Sequence, residues 1–395
     1  MKYAIILPDG AADFPLPQLD GRTPLEAARI PHMDAVASGG QLGCAVTIPT
    51  GFTPGTDVGT LSLMGYDPHR FYSGRAPIEA AAKGLAARPD QMIFRCNLVT
   101  IENGRMRDFT AGHITQPEAD RIMADLNAAL GTDGCEFHPS VSYRNLLLLS
   151  DAAEMELGCQ PPHDIPDQPV EGYWPRGTGA ERVMRLMQRA ARLLADHPVA
   201  RARRAEGQNA PTNIWLWGQG RPTALDSFAS RFGVRGALIT GVDILRGLAV
   251  GMGMDLVHVP GATGYIDTDF DGKGAAAVRA LDDHDLVVVH VEAADEAGHL
   301  GDAAEKVRAL ERIDAAIVGP LLAALRAHRA YRVFVAADHP TPVGSKTHDG
   351  TPPPFCFAGA GIGANGGARY TEAEARRTGL FVDPGHGLME MLFRS

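Results

Sequence analysis

The chain has 395 residues, 45% of them hydrophobic and 21% charged, with a net charge of −10. That length fits two or three domains at roughly 150 residues each, and an acidic balance without a long basic run argues against nucleic acid as a partner. No stretch approaches ~18 uninterrupted apolar residues, which argues against a membrane-spanning helix, and the apolar run after Met1-Lys2 is too short for a signal peptide. The five cysteines include no C-x-x-C pair, so they read as reduced and structural, and a cytoplasmic protein is expected.

Residues 3–7 form an apolar run that reads as a buried strand, with Asp9-Gly10 at its carboxyl end. Thr23-Pro24-Leu25-Glu26 has the pattern of a helix start: a capping Thr, Pro at the first position and Glu at the third. Further on, Pro49, Gly51, Pro54 and Gly55 lead into Thr56-Asp57, and a helix is expected from about Val58. A hydroxyl on such a turn, at the positive end of a helix, suits a phosphate cradle or a nucleophile. An ordinary capping Thr is the plainer alternative. Ser73-Gly74-Arg75 precede a helix expected after Pro77.

From Met92 short apolar runs (92–94, 98–101, 146–149) alternate with polar loops, and residues 116–130 predict a helix with Ile122, Leu126 and Leu130 on one face. The pattern predicts a separate α+β unit. Arg95, Asn97, His113, Arg144, His163 and Asp164 are polar groups inside it. The proline-rich stretch 161–175 reads as loop, 181–195 as helix, 200–207 as basic and exposed, and 214–217 as a short strand. Alternating α/β patterning returns at 237–240, followed by a helix through Met252 and a strand at 256–259. A Gly/Asp-rich loop, 261–274, carries Thr268 and Lys273.

An apolar run at 286–291 leads into a polar loop carrying Asp295 and His299. A long helix follows at 303–325, with Val307, Leu310, Ile313, Ile317, Leu321 and Leu325 spaced by three or four. A second apolar run, 331–337, ends in Asp338-His339; His348 comes soon after, and 355–357 is one more strand. Ligands of open α/β sheets sit beyond the carboxyl ends of the strands, where these Asp and His residues fall. The chain thus reads as a split α/β core, residues 1–70 and 228–395, with a smaller α+β domain, 71–227, inserted between.

Two familiar nucleotide motifs are missing. Gly359-Ala-Gly361-Ile-Gly363 lacks the helix a dinucleotide fingerprint needs, and no phosphate-binding G-x-x-x-x-G-K-[ST] loop occurs. What remains is the Thr56 hydroxyl with Asp9, Asp295, His299, Asp338, His339 and His348. Six such ligands with a shared oxygen suit two divalent ions, which clamp the attacking and leaving oxygens of a phosphoryl transfer. Carboxylate and imidazole without thiolate favour manganese, with magnesium or zinc as alternatives. A threonine hydroxyl becomes an effective nucleophile when a metal lowers its pKa.

In order along the chain, Asp9-Gly10, Pro54-Gly55-Thr56-Asp57, Asp295-x-x-x-His299, Asp338-His339 and His348 resemble the metal and nucleophile motifs of the alkaline phosphatase superfamily. More closely, Leu61-Ser-Leu-Met-Gly-Tyr-Asp67, Gly74-Arg75-Ala-Pro-Ile-Glu79, Arg95-Cys-Asn97-Leu, Pro161-Pro-His163-Asp164 and Pro260-Gly-Ala-Thr-Gly264 resemble the archaeal-type cofactor-independent phosphoglycerate mutases. The resemblance implies an alkaline-phosphatase-like core, a mostly parallel sheet flanked by helices. It implies that Asp295, His299 and His348 hold one metal, and Asp9, Thr56, Asp338 and His339 the other. Serine is usual at the position of Thr56. Arg75, Arg95, Asn97, His113, Arg144, His163, Asp164 and Lys273 become candidates for gripping a small phosphorylated carboxylic acid. The implied reaction passes the phosphoryl group of 3-phosphoglycerate through Thr56 to the other hydroxyl, with the inserted domain closing against water. The alternatives are a related phosphotransferase acting as a homoserine kinase in threonine biosynthesis, and a metal-dependent phosphatase or sulfatase.

Overall fold

The apolar runs at the two ends of the chain meet in one eight-stranded sheet. Its strand order is Asp255–Leu256, Gly236–Ile239, Leu286–Val291, Lys2–Pro8, Tyr331–Ala336, Pro354–Gly359, Gln41–Ala45 and Phe381–Val382. Every pairing is parallel except those of Pro354–Gly359, which runs antiparallel to both neighbours. Strands buried on both faces need continuous apolar sequence, and all six residues of Leu286–Val291 are buried. Each such Val or Leu contributes roughly 1.5–3 kcal/mol by leaving water. The computed structural model describes residues 1–131 and 134–394.

This sheet belongs to one of two units, Met1–Tyr72 with Ala224–Ser395; the other is Ser73–Thr223. In the first unit the register pairs Leu7 with His290 and Pro8 with Val291, so Asp9 and Glu292 emerge side by side. Tyr331–Ala336 runs parallel on the other flank, ending two residues before Asp338. The expected helix at 303–325 forms as Ala303–Ile313, a π-helical turn at Asp314–Val318, and Gly319–Arg326. Ile313, Ile317, Leu321 and Leu325 are fully buried along it.

The second unit is built on Met92–Glu102, a single strand of 11 residues where two short runs were expected. Arg144–Leu149 and Asn213–Gly220 pair with it antiparallel, and the helices Gln116–Leu130 and Ala180–Ala195 share its apolar core. Thr115 and Glu118 form a reciprocal cap at the start of Gln116–Leu130, as sequence spacing of this type favours. The basic stretch expected to be exposed is the helix Pro198–Ala205. Its Arg203 is buried, donating to Glu118 Oε2 at 2.9 Å and to the Gly112 carbonyl at 2.7 Å.

Other expectations change at their edges. The Arg75–Ala82 helix starts before Pro77, whose fixed φ suits a first turn. The strand expected at 256–259 is only Asp255–Leu256. The loop expected through Gly274 gives way at Phe270 to a helix, Phe270–Asp283, which contains Lys273. The polar loop expected for Asp295 and His299 is also a helix, Ala293–Leu300. No helix among the described residues is long and apolar enough to cross a membrane.

Candidate active site

Three chain segments past the strand ends supply the ligand-type side chains of the first unit. Asp9 follows Lys2–Pro8, Asp338 and His339 follow Tyr331–Ala336, and Asp295 with His299 sit one helical turn apart on Ala293–Leu300. The i,i+4 spacing puts the last two on one helical face. The ligand atoms of Asp9, Asp338 and His339 lie within 4.8 Å of one another, as do those of Asp295, His299 and His348.

Thr56 opens the buried Thr56–Leu63 helix rather than capping it; the cap is Gly55, whose backbone is extended at φ 173°. A tight turn therefore does not explain Gly55. Gly59 does have a local reason: a Cβ there would lie 2.6 Å from the Asp338 carbonyl oxygen, so its absence lets this helix approach Asp338. Asp57 is held by Tyr72, whose hydroxyl donates to Asp57 Oδ2 at 2.7 Å.

The hydrogen bonds determine how each imidazole faces the site. A carbonyl oxygen only accepts, so His339 Nδ1, 3.3 Å from the Pro340 carbonyl, carries the proton. The Nε2 lone pair then points at Thr56 Oγ1, Asp9 Oδ1 and Asp338 Oδ2, each 3.4 Å away. By the same reasoning His299 Nδ1 donates to the Lys346 carbonyl and His348 Nδ1 to the Pro54 carbonyl. Their Nε2 atoms face each other at 3.0 Å, with Asp295 Oδ2 3.1 Å from His299. Two lone pairs at that separation require a proton or a cation between them.

Burial, reinforced by the charges of Asp338 and Asp295, holds the Asp9 carboxyl well above the usual carboxylate range. Burial and the Asp9 charge push Glu292 the same way. Asp295 moves in the opposite direction: burial opposes its ionisation, but hydrogen bonds from His299 and His348 outweigh that and hold it well below its usual range. The Asp295 hydrogen bond in turn lifts His299 to about 9.

Asp9 Oδ1 and Asp338 Oδ2 are buried and accept no hydrogen bond among the described residues. Leaving charged oxygens unsatisfied in a buried site is costly. Two orphaned carboxylate oxygens, three imidazole lone pairs and a hydroxyl, with no thiolate, form donor sets that fit hard or borderline divalent cations.

The sequence reading missed three participants. His290 Nε2 donates to Asp9 Oδ2 at 2.7 Å, with its Nδ1 3.2 Å from Thr240 Oγ1. Glu292 lies 3.5 Å from His290, and Thr341 hydrogen-bonds to Asp295. His290 was hidden inside an apolar run, where position alone gives no sign of a polar role. Lys273 is fully buried beneath this cluster rather than in a loop, donating to the His290 carbonyl at 3.3 Å; burial lowers it to about 8.

In the second unit Arg95, Asn97 and His163 converge on Trp217. The guanidinium of Arg95 lies 4.2 Å over the indole ring, the indole N–H donates to Asn97 Oδ1 at 3.1 Å, and the His163 ring stands edge-on at 5.1 Å. Arg144 pairs with Asn97 across the strands, and Asp164 is 3.6 Å from His163. Burial lowers Arg95 despite Glu79, and the nearby Arg75 and Arg144 charges lower it further. His113 is exposed in the adjoining turn, its N–H on Thr110 Oγ1; its ring has no hydrogen bond or ring contact with this patch among the described residues.

Comparison with known proteins places these features in a wider set. A sequence model of the 2,3-bisphosphoglycerate-independent phosphoglycerate mutases matches residues 37–200. A protein of Geobacter sulfurreducens named as a probable 2,3-bisphosphoglycerate-independent phosphoglycerate mutase is 44% identical over 397 residues, covering 99% of each chain. A mutase of the same description from Methanothermobacter thermautotrophicus is 45% identical, covering 99% of this chain and 97% of its own. Among solved structures, a Pyrococcus horikoshii protein superposes with a TM-score of 0.82 at 29% identity, over 99% of this chain and 96% of that one. The cofactor-independent phosphoglycerate mutase of Thermoplasma acidophilum gives 0.68 at 28% identity, over 99% of both.

Proposed function

The chain belongs to the 2,3-bisphosphoglycerate-independent phosphoglycerate mutase family, and from that premise we propose that it interconverts 3-phosphoglycerate and 2-phosphoglycerate through a phosphothreonine at Thr56. The observation that carries this reading is the convergence of Thr56 Oγ1, Asp9 Oδ1 and Asp338 Oδ2 on one imidazole nitrogen, each 3.4 Å away. A scaffold has no need of a hydroxyl among such groups.

In this reading Asp295, His299 and His348 hold one divalent ion, and Asp9, Thr56, Asp338 and His339 hold a second. Manganese is the first choice, magnesium and zinc the next. Such ions lower the pKa of a hydroxyl and neutralise charge on a transferring phosphoryl group.

The chain's own residues do the rest. The amino end of the Thr56–Leu63 helix favours an anion at Thr56. In the first transfer Thr56 gives up its proton as the Oγ1–P bond forms and the bond from phosphorus to the 3-oxygen breaks. The departing glycerate 3-oxygen takes a proton. In the second transfer the glycerate 2-hydroxyl loses its proton and attacks phosphorus, the Oγ1–P bond breaks as the 2-oxygen–phosphorus bond forms, and the departing Thr56 oxygen regains a proton. Arg75, Arg95, Asn97, Arg144 and His163 are assigned to the phosphate and carboxylate of the substrate, with Asp164, 3.6 Å from His163, orienting that imidazole and His113 left outside the set. The guanidiniums of Arg75, Arg95 and Arg144 suit a planar carboxylate and a phosphate, and Asn97 and His163 offer neutral hydrogen-bonding groups beside them.

The test is a coupled assay with 3-phosphoglycerate and Mn²⁺, run beside homoserine plus ATP. Formation of 2-phosphoglycerate that stops on chelation is expected. Turnover of homoserine alone, or release of inorganic phosphate without 2-phosphoglycerate, would overturn the mutase reading in favour of a kinase or a phosphatase.

A further inference from the structure

The Thr341 hydroxyl bridges the two candidate metal-ligand groups of the first unit by hydrogen bonds, and the His339 and His348 rings also meet across them, centroids 4.3 Å apart. Thr341 is fully buried and lies in the loop just past Asp338-His339. Its Oγ1 donates to Asp295 Oδ1, in the His-rich group, and sits 3.2 Å from His339 Nδ1, in the Asp-rich group. His339 Nδ1 carries its proton toward this side, and the Pro340 carbonyl 3.3 Å away requires the same tautomer. The hydroxyl therefore accepts from His339 and donates to Asp295, using one lone pair and its only proton.

The backbone reinforces this connection. Thr341 N donates to the Gly10 carbonyl at 3.3 Å, and Gly10 N donates to Asp338 Oδ1 at 3.2 Å. Gly10 has φ +59°, and a Cβ on it would lie 2.7 Å from Asp295 Oδ1 and from Thr341 Oγ1. Glycine after Asp9 thus makes room for the Thr341–Asp295 contact as well as adopting a left-handed backbone. Behind the loop, Lys306 is fully buried and donates to the Thr341 carbonyl at 2.8 Å and to Asp13 Oδ2 at 2.9 Å. Asp13 Oδ2 also accepts from Val343 N at 3.0 Å. The loop is therefore held from both sides, and Thr341 has little freedom to move.

We propose that Thr341 is a positioning residue whose hydroxyl fixes Asp295 relative to His339, and so sets the spacing of the two divalent-ion sites assigned above. The inference rests on that two-ion reading. Groups that orient metal ligands from behind typically change metal affinity by about 10- to 100-fold when removed.

The experiment is Mn²⁺ titration by calorimetry on wild type, Thr341→Val, Thr341→Ala and Thr341→Ser, each checked for folding by thermal unfolding in chelator. Val keeps the shape without the hydroxyl, Ala removes both the hydroxyl and the steric question, and Ser keeps the hydroxyl. Wild type and Thr341→Ser are expected to bind two Mn²⁺ with similar affinity. Val and Ala, if folded, are expected to bind about 10- to 100-fold more weakly. Should Val fail to fold, Ala supplies the same comparison. A hydroxyl-free variant with the wild-type isotherm, or a folded Ser variant as weak as Ala, would overturn the proposal and leave the two-ion reading intact. Wild-type protein that takes up no Mn²⁺ would instead overturn the two-ion reading, and this proposal with it.

Discussion

In the Asp-rich group the Asp9 and Asp338 carboxylates share the His339 imidazole in a fully buried space, with His290 bonded to the other Asp9 oxygen from behind; around Asp295 one carboxylate faces two imidazoles that keep 34% and 27% of their side chains exposed. The ligand types are the same, but the ratio is inverted. In the first group burial and like charge drive Asp9 toward its neutral form and leave two oxygens without donors. In the second a shared proton satisfies the carboxylate and both facing nitrogens, so Asp295 stays ionised and His299 stays protonated up to about 9. Ligand count alone does not say how a site behaves without its ion. The balance of acids to imidazoles does: the Asp-rich group leaves carboxylate oxygens open to a cation, and the His-rich group satisfies its own with a proton.

The largest expected effect separates the two groups by chemistry. Thr56→Ala should lower mutase turnover by on the order of 10⁴-fold or more, as loss of a nucleophile does, while Mn²⁺ uptake at the His-rich group persists. Thr56→Ser should remain active, since only a methyl is lost. Steady-state kinetics and calorimetry on the same preparations check both halves.

A smaller effect should differ in sign between the groups. In chelator, Asp9→Asn should stabilise the protein by roughly 1 kcal/mol or more, because it relieves the cost of ionising Asp9 where burial and the charges of Asp338 and Asp295 oppose it. The new amide still accepts from His290 and can donate toward His339. Asp295→Asn should destabilise by about 1 kcal/mol or less, because solvent screens a pair whose His299 is a third exposed. Thermal unfolding of the two variants beside wild type reads the signs directly, and equal signs would break the comparison.

The smallest effect lies in the pH profile of unfolding in chelator. His299 has a raised pKa in the fold, so its contribution is fully present below about 6.5, the unfolded value, and is lost as pH rises through about 9. Asp295 has a depressed one, so its contribution is present above the unfolded value of about 3.9 and is lost as pH falls through its folded pKa. Asp9 has a raised pKa and acts oppositely, weakening the fold as pH rises from the acid side. Asp295→Asn should flatten the alkaline limb of the profile, and Asp9→Asn should leave that limb in place.

Much of this was legible in the sequence. The buried strands Lys2–Pro8, Leu286–Val291 and Tyr331–Ala336 announce themselves as apolar runs because parallel strands are covered on both faces. The acids just past them follow from that, and the resemblance to cofactor-independent mutases agrees with relatives that cover the whole chain. The Ala293–Leu300 helix was hidden because its buried face is Ala293, Ala294, Ala297 and Gly298, residues too small to make a strong apolar stripe beside Asp295, Glu296 and His299. The helix around Lys273 was masked by Gly272 and Gly274, which read as loop signals. His290 and Thr341 were invisible for another reason. Their roles depend on contacts 281 and 46 residues away along the chain, with Asp9 and Asp295, which no local pattern encodes.

The central claim is that Thr56 receives the phosphoryl group. Protein loaded with Mn²⁺ is mixed with 3-phosphoglycerate labelled in its phosphate, quenched in acid during turnover, digested and mapped. Label on the peptide carrying Thr56, absent from Thr56→Ala, is the predicted result. Label on another residue, or full turnover in Thr56→Ala, would contradict the account.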